Sequence, residues 1–390
     1  MASPFPDARA APPCGPDASP AMEAQASLPD HLTEEILLRL TTAADLARAS
    51  MAGPSLRRII TVHSFLRRFR TLDPPPLLGI LSTSFLPAQP PHPSAGSLAG
   101  TDFSCPFLPS REQPWRLWDF RDGRALLCVG PDGRALVREV AVCDPRAAPA
   151  LPPATCPPAG PVLYIFRVMC LARYKTRLLI FVISSSGPLA QQWRTVEFDG
   201  WSTLTTGISN GEDARSSTAL GSRYYAHGCF CWAMLGINKL LLLDTDTMEF
   251  SLVNLPPGPR DREVAFVEAR EGRLGMFALS HRPTHRAPHL RYTILVGIGG
   301  DPRQWQKEDV VRLSHGYCYY IIGVAGGYLL LHGVPDNPGL FPSFEMPNQD
   351  LFSLDLQTMK LERFGGTTYK MPLRNQLYAG FPPSLSPPTI

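Results

Sequence analysis

Proline is the feature of this chain that most restricts its fold. The 390 residues include 42 prolines, about twice the number expected at the average frequency of about 5%. Proline inside a helix removes a backbone hydrogen bond and clashes with the preceding turn. The sequence therefore predicts a fold that is not mainly helical. At about 150 residues per domain, its length predicts two or three domains.

Charge and cysteine usage further narrow the classes of protein to which the chain can belong. The 37 Lys and Arg against 34 Asp and Glu give a formal net charge of +3, which excludes a polybasic nucleic-acid binder and an acidic disordered polymer. The nine cysteines form no C-x-x-C pair, a pattern typical of a reducing compartment. The segment up to Ala26 has no apolar signal region, and apolar runs such as Leu178–Ile183 are too short to span a bilayer. We expect a cytoplasmic or nuclear protein with no membrane partner.

Changes in composition divide the chain into five segments. Residues 1–26 are rich in Pro, Ala and Ser and are predicted to be a disordered arm. Residues 27–73 have helical apolar spacing, and residues 74–114 are rich in Pro, Ser and Gly and are predicted to be a linker. Residues 115–371 have strand patterns, and residues 372–390 are assigned as a tail. This organisation predicts a multidomain chain with a small all-α module before an all-β domain.

Three short helices are predicted in the all-α module. Asp30 can cap the first, on which Leu32, Ile36, Leu37 and Leu40 form one apolar stripe. A second helix follows Thr42, and Pro54 can open the third because a proline in the first turn costs no helical hydrogen bond. About 45 residues bury too little surface to be robust alone. We therefore expect the module to need a partner, with packing against the rest of the chain as the alternative.

The module resembles the F-box motif. The resemblance rests on Leu28-Pro29, Glu34-Glu35-Ile36-Leu37-Leu38-Arg39-Leu40, Asp45-Leu46, Leu56-Arg57-Arg58-Ile59-Ile60 and Phe65-Leu66-Arg67-Arg68-Phe69. It covers about 45 of the 390 residues. The family often places Cys and Trp near the start of the third helix, where this chain has Met51-Ala52-Gly53-Pro54-Ser55-Leu56.

An F-box implies docking to the Skp-type adaptor of a cullin–RING ubiquitin ligase, with the β domain recruiting a client protein for ubiquitination. The residues expected to contact the adaptor are Leu28, Pro29, Ile36, Leu37, Leu40, Leu46, Leu56 and Ile59. The arginines between Arg57 and Arg70 form the strongest charge block. So short a block favours a solvated helix face or an acidic patch on a protein partner over nucleic acid.

Repeats in the β region predict its architecture. Asp122-Gly123 and Asp132-Gly133 mark two hairpin turns ten residues apart. Leu243-Asp244 to Phe250 is echoed by Leu354-Asp355 to Leu361, with Val142–Pro145 and Glu197–Gly200 as weaker copies. The short Asp carboxylate can accept backbone hydrogen bonds at each such corner.

About 45 to 50 residues per unit give five or six units, which predicts an irregular five- or six-bladed β-propeller. A β-sandwich or two smaller β domains remain the alternatives. The Gly-Gly before a strand is similar to kelch blades. The region also resembles the β-rich associated domains that follow F-box motifs in many plant proteins.

Candidate catalytic and metal-binding patterns are weak. Ser209 lies in a G-x-S-x-G pattern, but its polar, all-β surroundings do not suit a hydrolase elbow. His281, His285 and His289 are spaced as helical ligands, although Pro283 and Pro288 exclude that helix.

A third pattern consists of His227, Cys229 and Cys231, which would share one strand face but lack a fourth zinc ligand. We therefore predict no catalytic residue, no metal and no cofactor. The leading function is a ubiquitin-ligase adaptor. A non-enzymatic β scaffold with a degenerate F-box comes second, and an esterase using Ser209 third.

Overall fold

The structure is a computed structural model, and it describes most of the predicted helical and strand regions. The described residues are 28–40, 43–73, 75–81, 85–98, 103, 115–121, 124–129, 139–143, 167–174, 176–184, 192–206, 220–259, 262–269, 273–280, 288–296, 304–336, 349–367 and 376–380. Within these residues the chain is mostly β-sheet with few helices, as predicted. The predicted 1–26 arm lies outside the described residues.

The helical module contains four helices where three are predicted. They are α1 (Asp30–Leu37), α2 (Ala43–Ala52), α3 (Pro54–Ile60) and α4 (His63–Leu72). Pro54 does open α3, behind an extended Gly53. The additional break follows Thr61, because Val62 leaves the helical conformation at φ −69° and ψ 132°. The segment with Phe65 and Phe69 therefore forms a separate helix.

Among the described residues, the β region contains six antiparallel sheets, numbered in chain order. The first sheet contains β1 (Leu77–Leu81), β2 (Phe85–Pro87) and β21 (Gln376–Ala379). The second contains β3 (Arg116–Arg121), β4 (Arg124–Val129) and β5 (Glu139–Cys143), and the third contains β6 (Arg167–Arg173), β7 (Leu178–Ser184) and β8 (Arg194–Glu197). The short helix α5 (Trp201–Thr206) follows β8.

The last three sheets have four strands each, in sequence order. The fourth contains β9 (Arg223–Ala226), β10 (Cys229–Met234), β11 (Lys239–Asp244) and β12 (Phe250–Asn254). The fifth contains β13 (Glu263–Glu268), β14 (Leu274–Ser280), β15 (His289–Val296) and β16 (Gln304–Arg312). The sixth contains β17 (Tyr317–Ala325), β18 (Tyr328–Pro335), β19 (Gln349–Asp355) and β20 (Leu361–Thr367).

The first sheet lies in segments predicted as linker and tail. Strand β1 is buried along its whole length and lies between β2 and β21. The prolines before Leu77–Leu81 suggest a linker because they donate no backbone hydrogen bonds, but they do not prevent a short apolar strand that is covered on both faces. The linker and tail boundaries therefore move, and both segments contribute strands to the β-sheet body.

The two stronger sequence echoes lie at equivalent positions in the fourth and sixth sheets. Each sheet has a two-residue turn with positive φ at both positions, His227 and Gly228 in one and Gly326 and Gly327 in the other. Positive φ at both positions matches the right-handed twist of paired strands. Gly326 also lies close to Ala379, because a Cβ at position 326 would be 2.4 Å from the Cβ of Ala379.

The predicted Asp corners are confirmed in the same two sheets. The Oδ1 of Asp244 accepts hydrogen bonds from the backbone N–H groups two and three residues further on, at 2.8 and 2.9 Å. The Oδ1 of Asp355 does the same at 2.7 and 3.0 Å. These bonds lower the pKa of Asp244. Each corner joins the third strand of its sheet to the fourth.

The weaker echoes also lie at the ends of third strands. Strand β5 ends at Cys143 and β8 ends at Glu197, so all four echoes begin in the last two residues of the third strand of a sheet. Strands β3 and β4 pair antiparallel, with Arg121 opposite Arg124, while the predicted turn residues Asp122 and Gly123 lie outside the described residues. The second predicted reversal, at Asp132-Gly133, lies outside the described residues.

Apolar clusters connect neighbouring sheets in sequence. The third and fourth sheets share a cluster around Ile180 and Trp232, and the fourth and fifth share one around Phe266. The fifth and sixth meet around Phe277 and Tyr319. A further cluster around Ile80 connects the sixth sheet to the first. Another, around Tyr378, connects the first sheet to the second. Strands β3 and β9 add a polar contact between the second and fourth sheets.

Candidate partner-binding surface

The helical module has its own small core. Its buried members are Leu37, Leu38, Leu46, Ala47, Ile59, Ile60, Phe65, Leu66 and Phe69, and all belong to α1–α4 or to the turn just after α1. The rings of Phe65 and Phe69 lie nearly parallel, with centroids 6.4 Å apart. The core explains why the apolar residues of this segment recur with helical spacing.

Ion pairs hold α1 against α3 and α4. The guanidinium of Arg58 donates to Asp30 Oδ2 at 2.6 Å, and that of Arg68 donates to Glu34 at 2.7 Å and to Glu35 at 2.6 Å. The hydrogen bond and positive charge of Arg68 lower the pKa of Glu35. These two members of the arginine block therefore have acidic partners within the module.

An apolar stripe on α1 faces outward. Leu28, Leu32 and Ile36 are 52%, 45% and 54% exposed, and their spacing of four residues places Leu32 and Ile36 on one side of the helix. Met51, at the end of α2, is 71% exposed. Large aliphatic side chains with this exposure, grouped on one small module, are typical of a surface that binds another protein.

The eight residues predicted to contact a partner fall into three groups. Leu28, Pro29 and Ile36 are exposed. Leu40 and Leu56 are half-buried against the module core. Leu37, Leu46 and Ile59 are members of that core, where they hold the helices together and do not reach the surface.

The predicted stripe on α1 is divided between two faces. The sequence places Leu32, Ile36, Leu37 and Leu40 on one side, whereas the structure turns Leu37 inward and leaves Leu32 and Ile36 in solvent. The prediction treated adjacent positions 36 and 37 as one face, although they lie about 100° apart around a helix. The predicted contact residues include neither Leu32 nor Met51, and the four-residue spacing from Ile36 is the signal that places Leu32 on the exposed side of α1.

The β-sheet body leaves this stripe accessible. Among the described residues, the module meets the body at the Asp355 corner, where the side-chain amide of Gln357 donates to Leu72 O at 3.2 Å. That contact is at the end of α4, while the exposed stripe begins before α1. An outside partner therefore has access to Leu28, Leu32 and Ile36.

The other candidate sites gain no support. Ser209 lies outside the described residues, and the helix α5, not a strand, ends directly before its motif. His281 and His285 are also outside them, and His289 begins β15. No group of three or more metal-ligating side chains occurs within the part of the chain that the structure describes.

The His227, Cys229 and Cys231 pattern does not form one strand face. His227 lies in the turn before β10 with φ 51°. Cys231 is fully buried, and burial raises the pKa of its thiol. A buried, protonated thiol packs as a small apolar side chain.

None of the helices in the described ranges is long and apolar enough to cross a membrane. No family model matches this chain, and no curated protein matches it.

Solved structures resemble the chain only weakly. Prolyl oligopeptidase B from Galerina marginata is 13% identical, with 48% of this chain and 25% of that chain covered and a TM-score of 0.24. The dihydro-heme d1 dehydrogenase NirN is 10% identical over 63% of this chain and 56% of its own, with a TM-score of 0.25. The tricorn protease is 10% identical, with 66% of this chain and 32% of that chain covered and a TM-score of 0.25. The chain thus spans between a quarter and just over half of the length of each of these proteins.

Proposed function

We propose that this protein is the substrate-recognition adaptor of a Skp–cullin–F-box ubiquitin ligase. The helical module docks the Skp-type adaptor, through it reaches the cullin, and the β-sheet body recruits a client protein. The observation that carries this proposal is the exposed stripe of Leu28, Leu32 and Ile36 on a module whose core is already complete without them.

The energetics of the stripe favour an external partner. Burying one large aliphatic side chain contributes about 1.5–3 kcal/mol, and association itself costs several kcal/mol. Three or four such residues together are therefore needed for stable docking. Leu28, Leu32 and Ile36 supply three of them, with Pro29 beside Leu28. In this proposal the buried Leu37, Leu46 and Ile59 shape the surface, and the half-buried Leu40 and Leu56 border the core.

For the body, we propose an irregular six-bladed β-propeller. Each of sheets two to six is a meander of consecutive strands, and apolar clusters link the third sheet to the fourth, the fourth to the fifth and the fifth to the sixth. The pairing of β1 with β21 joins the two ends of the β region in one blade, a way of closing such a ring. A rigid body with loops at its rims suits recognition of a protein client.

Co-purification of the full chain with a Skp-type adaptor tests the proposal. Replacing both Leu32 and Ile36 by Asp should abolish retention, because two charges would have to be buried in an apolar contact. Trp193→Asp is the matched control, since Trp193 is 50% exposed on the body. It should leave retention unchanged.

Two outcomes contradict the proposal. One is retention of the Leu32→Asp/Ile36→Asp variant at the wild-type level, and the other is failure of the wild-type chain to bind any Skp-type adaptor. The latter favours the β scaffold with a degenerate F-box. Circular dichroism of the variant should match wild type, because both substituted side chains are already in solvent.

A further inference from the structure

Three arginines lie together at one end of the fifth sheet. Arg262 directly precedes β13, Arg291 is on β15, and Arg312 is the last residue of β16. On β16, the residue opposite Arg291 is Val310, two residues before Arg312. Residues that lie opposite one another, and alternate residues of one strand, share a face of a sheet, so Arg291 and Arg312 are on the same face. Together the three residues form the arginine cluster.

The arginine cluster is on the face of the fifth sheet that packs against the fourth sheet. Val264 and Leu295 belong to the apolar cluster that these two sheets share. Val264 is two residues after Arg262, and Leu295 is four residues after Arg291, so both arginines are on that face. The arginines therefore border the apolar contact between the two sheets at its end.

Arg262 is a buried cation. It is 7% exposed, and its Nη2 donates to Pro256 O at 2.7 Å and to Asn238 Oδ1 at 3.1 Å, which are both neutral acceptors. Its Nε is buried with no hydrogen-bond partner. Burial and the positive charge of Arg291 lower the pKa of Arg262. Burying a charge is costly unless an opposite charge compensates it, so this position favours an approaching anion.

The other two arginines of the cluster are exposed. Within the described ranges, no member of the arginine cluster pairs with a carboxylate, whereas Arg177 beside β7 pairs with Glu197 at 2.7 Å. Like charges on one face repel one another, and an anion bound among them relieves that repulsion. A guanidinium also presents a planar fork that matches the two oxygens of a carboxylate or phosphate.

The arginine cluster is wide enough to bind a peptide. It extends across the fifth sheet from β13 to β16, which is three strand spacings, or about 14 Å at about 4.8 Å per strand. A single small anion cannot contact both ends of the cluster, whereas an extended peptide of about four residues can, at about 3.3 Å per residue. Acidic side chains at alternate positions of such a peptide would all face the arginines.

We propose that the arginine cluster binds the oxyanions of an acidic peptide segment of the client. The inference rests on the proposed function, because it assigns client chemistry to the β-sheet body. Arg291 and Arg312, exposed on neighbouring strands, donate hydrogen bonds to carboxylate or phosphate groups of the peptide. Arg262 adds positive charge at the buried end of the cluster, where the fourth and fifth sheets meet.

Fluorescence anisotropy with the purified full chain, without any adaptor, tests the inference. The labelled probes are an oligoglutamate peptide, a peptide with phosphoserine at alternate positions and no carboxylate side chains, an oligolysine peptide and a single-stranded oligouridylate. We expect at least one of the two anionic peptides to bind and oligolysine not to bind. The anionic peptide that binds more tightly identifies the recognised group as carboxylate or phosphate. Tighter binding of the oligouridylate than of both peptides would assign the cluster to nucleic acid and contradict the proposal.

Substitutions of the two exposed arginines separate specific binding from nonspecific attraction. Arg291→Gln and Arg312→Gln should each weaken peptide binding about tenfold, the loss expected for one charge-assisted hydrogen bond. Arg291→Lys keeps the charge and loses the planar fork, so its loss should be smaller than that of Arg291→Gln. The matched control is Arg194→Gln, which removes the same charge from an exposed arginine on β8 of the third sheet. It should bind the peptide as wild type does.

The buried arginine gives a separate test. Arg262→Gln should weaken binding of the anionic peptide in a protein whose circular dichroism matches wild type, whereas a purely structural role would leave the affinity unchanged. If Arg262→Gln does not fold, the Arg291→Gln/Arg312→Gln double variant decides, because both of its substituted side chains are exposed.

Three outcomes overturn the inference. They are failure of both anionic peptides to bind, wild-type affinity of the Arg291→Gln/Arg312→Gln variant, and an equal loss of affinity with Arg194→Gln. Co-purification of the Arg291→Gln/Arg312→Gln variant with a Skp-type adaptor should stay at the wild-type level. This inference and the ligase proposal therefore fail independently.

Discussion

The helical module and the β-sheet body expose different kinds of apolar side chain. Among the described residues the module leaves six large ones in solvent, and all are aliphatic or thioether: Leu28, Leu32, Ile36, Met51, Val62 and Leu72. Of the seven that the body exposes, five are aromatic: Trp118, Tyr174, Trp193, Tyr225 and Tyr320. Aliphatic surface suits a broad apolar contact. Aromatic rings beside charged groups suit recognition of individual polar groups.

The two regions also differ in how their local structure is held. Helices α1, α3 and α4 are preceded by Pro29, Gly53 and Val62, and none of these residues makes a side-chain capping hydrogen bond. In the body, Asp244 and Asp355 each accept two backbone hydrogen bonds at a corner. The module therefore depends on apolar packing, and the body combines packing with specific turn chemistry.

Replacing a buried leucine by alanine should have a different effect in the module and in the body. Leu46 and Leu330 are both fully buried, and changing a buried Leu to Ala costs about 2–5 kcal/mol. Leu46→Ala should unfold the module locally, because so small a core has little stability in reserve. Leu330→Ala should instead lower the Tm of the body. Hydrogen exchange by mass spectrometry measures the local unfolding of the module, and thermal unfolding measures the Tm of the body.

The pattern of hydrogen exchange shows whether the module and the body unfold independently. With Leu46→Ala, faster exchange should be confined to residues 30–72, and strands β10 and β18 should keep their protection. Faster exchange throughout the chain with either variant would show that module and body unfold as one unit.

Removal of the Asp244 carboxylate should destabilise the body by a smaller amount. Asp244→Ala leaves two backbone N–H groups to water at the corner, with a cost of about 1 kcal/mol. Because the folded-state pKa of Asp244 is lowered, its contribution is present above the unfolded pKa and is lost as pH falls through the folded pKa. Thermal unfolding should therefore show a smaller acid-induced loss of Tm for Asp244→Ala than for wild type. Equal losses would contradict this.

Addition of a helix cap should stabilise the module slightly. Val62 precedes α4 in an extended conformation and is exposed, so a hydroxyl there can accept a backbone hydrogen bond from the first turn. Val62→Ser should increase module stability by about 0.5–1 kcal/mol. Val62→Ala removes the same apolar surface without adding a cap and serves as the control. Hydrogen exchange of α4 should slow only for the serine variant.

Local patterns predicted much of the fold. The Asp corners and the reversal after Arg121 follow from turn chemistry that involves only a few residues. Pro54 likewise marks the start of α3 by itself. These features could be predicted because the physical cause lies within the same short segment.

The remaining features depend on distant parts of the chain. Leu77–Leu81 has no alternation that separates a buried strand from a linker segment, and its partner β21 comes almost at the end of the described chain. The inward turn of Leu37 depends on where α3 and α4 pack. The ion pair of Asp119 with Arg223 exists only because two separate sheets meet, so no spacing in the sequence predicts it.

The position of β21 has a consequence for synthesis of the protein on the ribosome. Strand β1 emerges early, with five residues that the native structure buries completely, but one of its two neighbours emerges only after every other strand. Throughout translation of the body, this apolar segment lacks one of the two strands that flank it in the native structure.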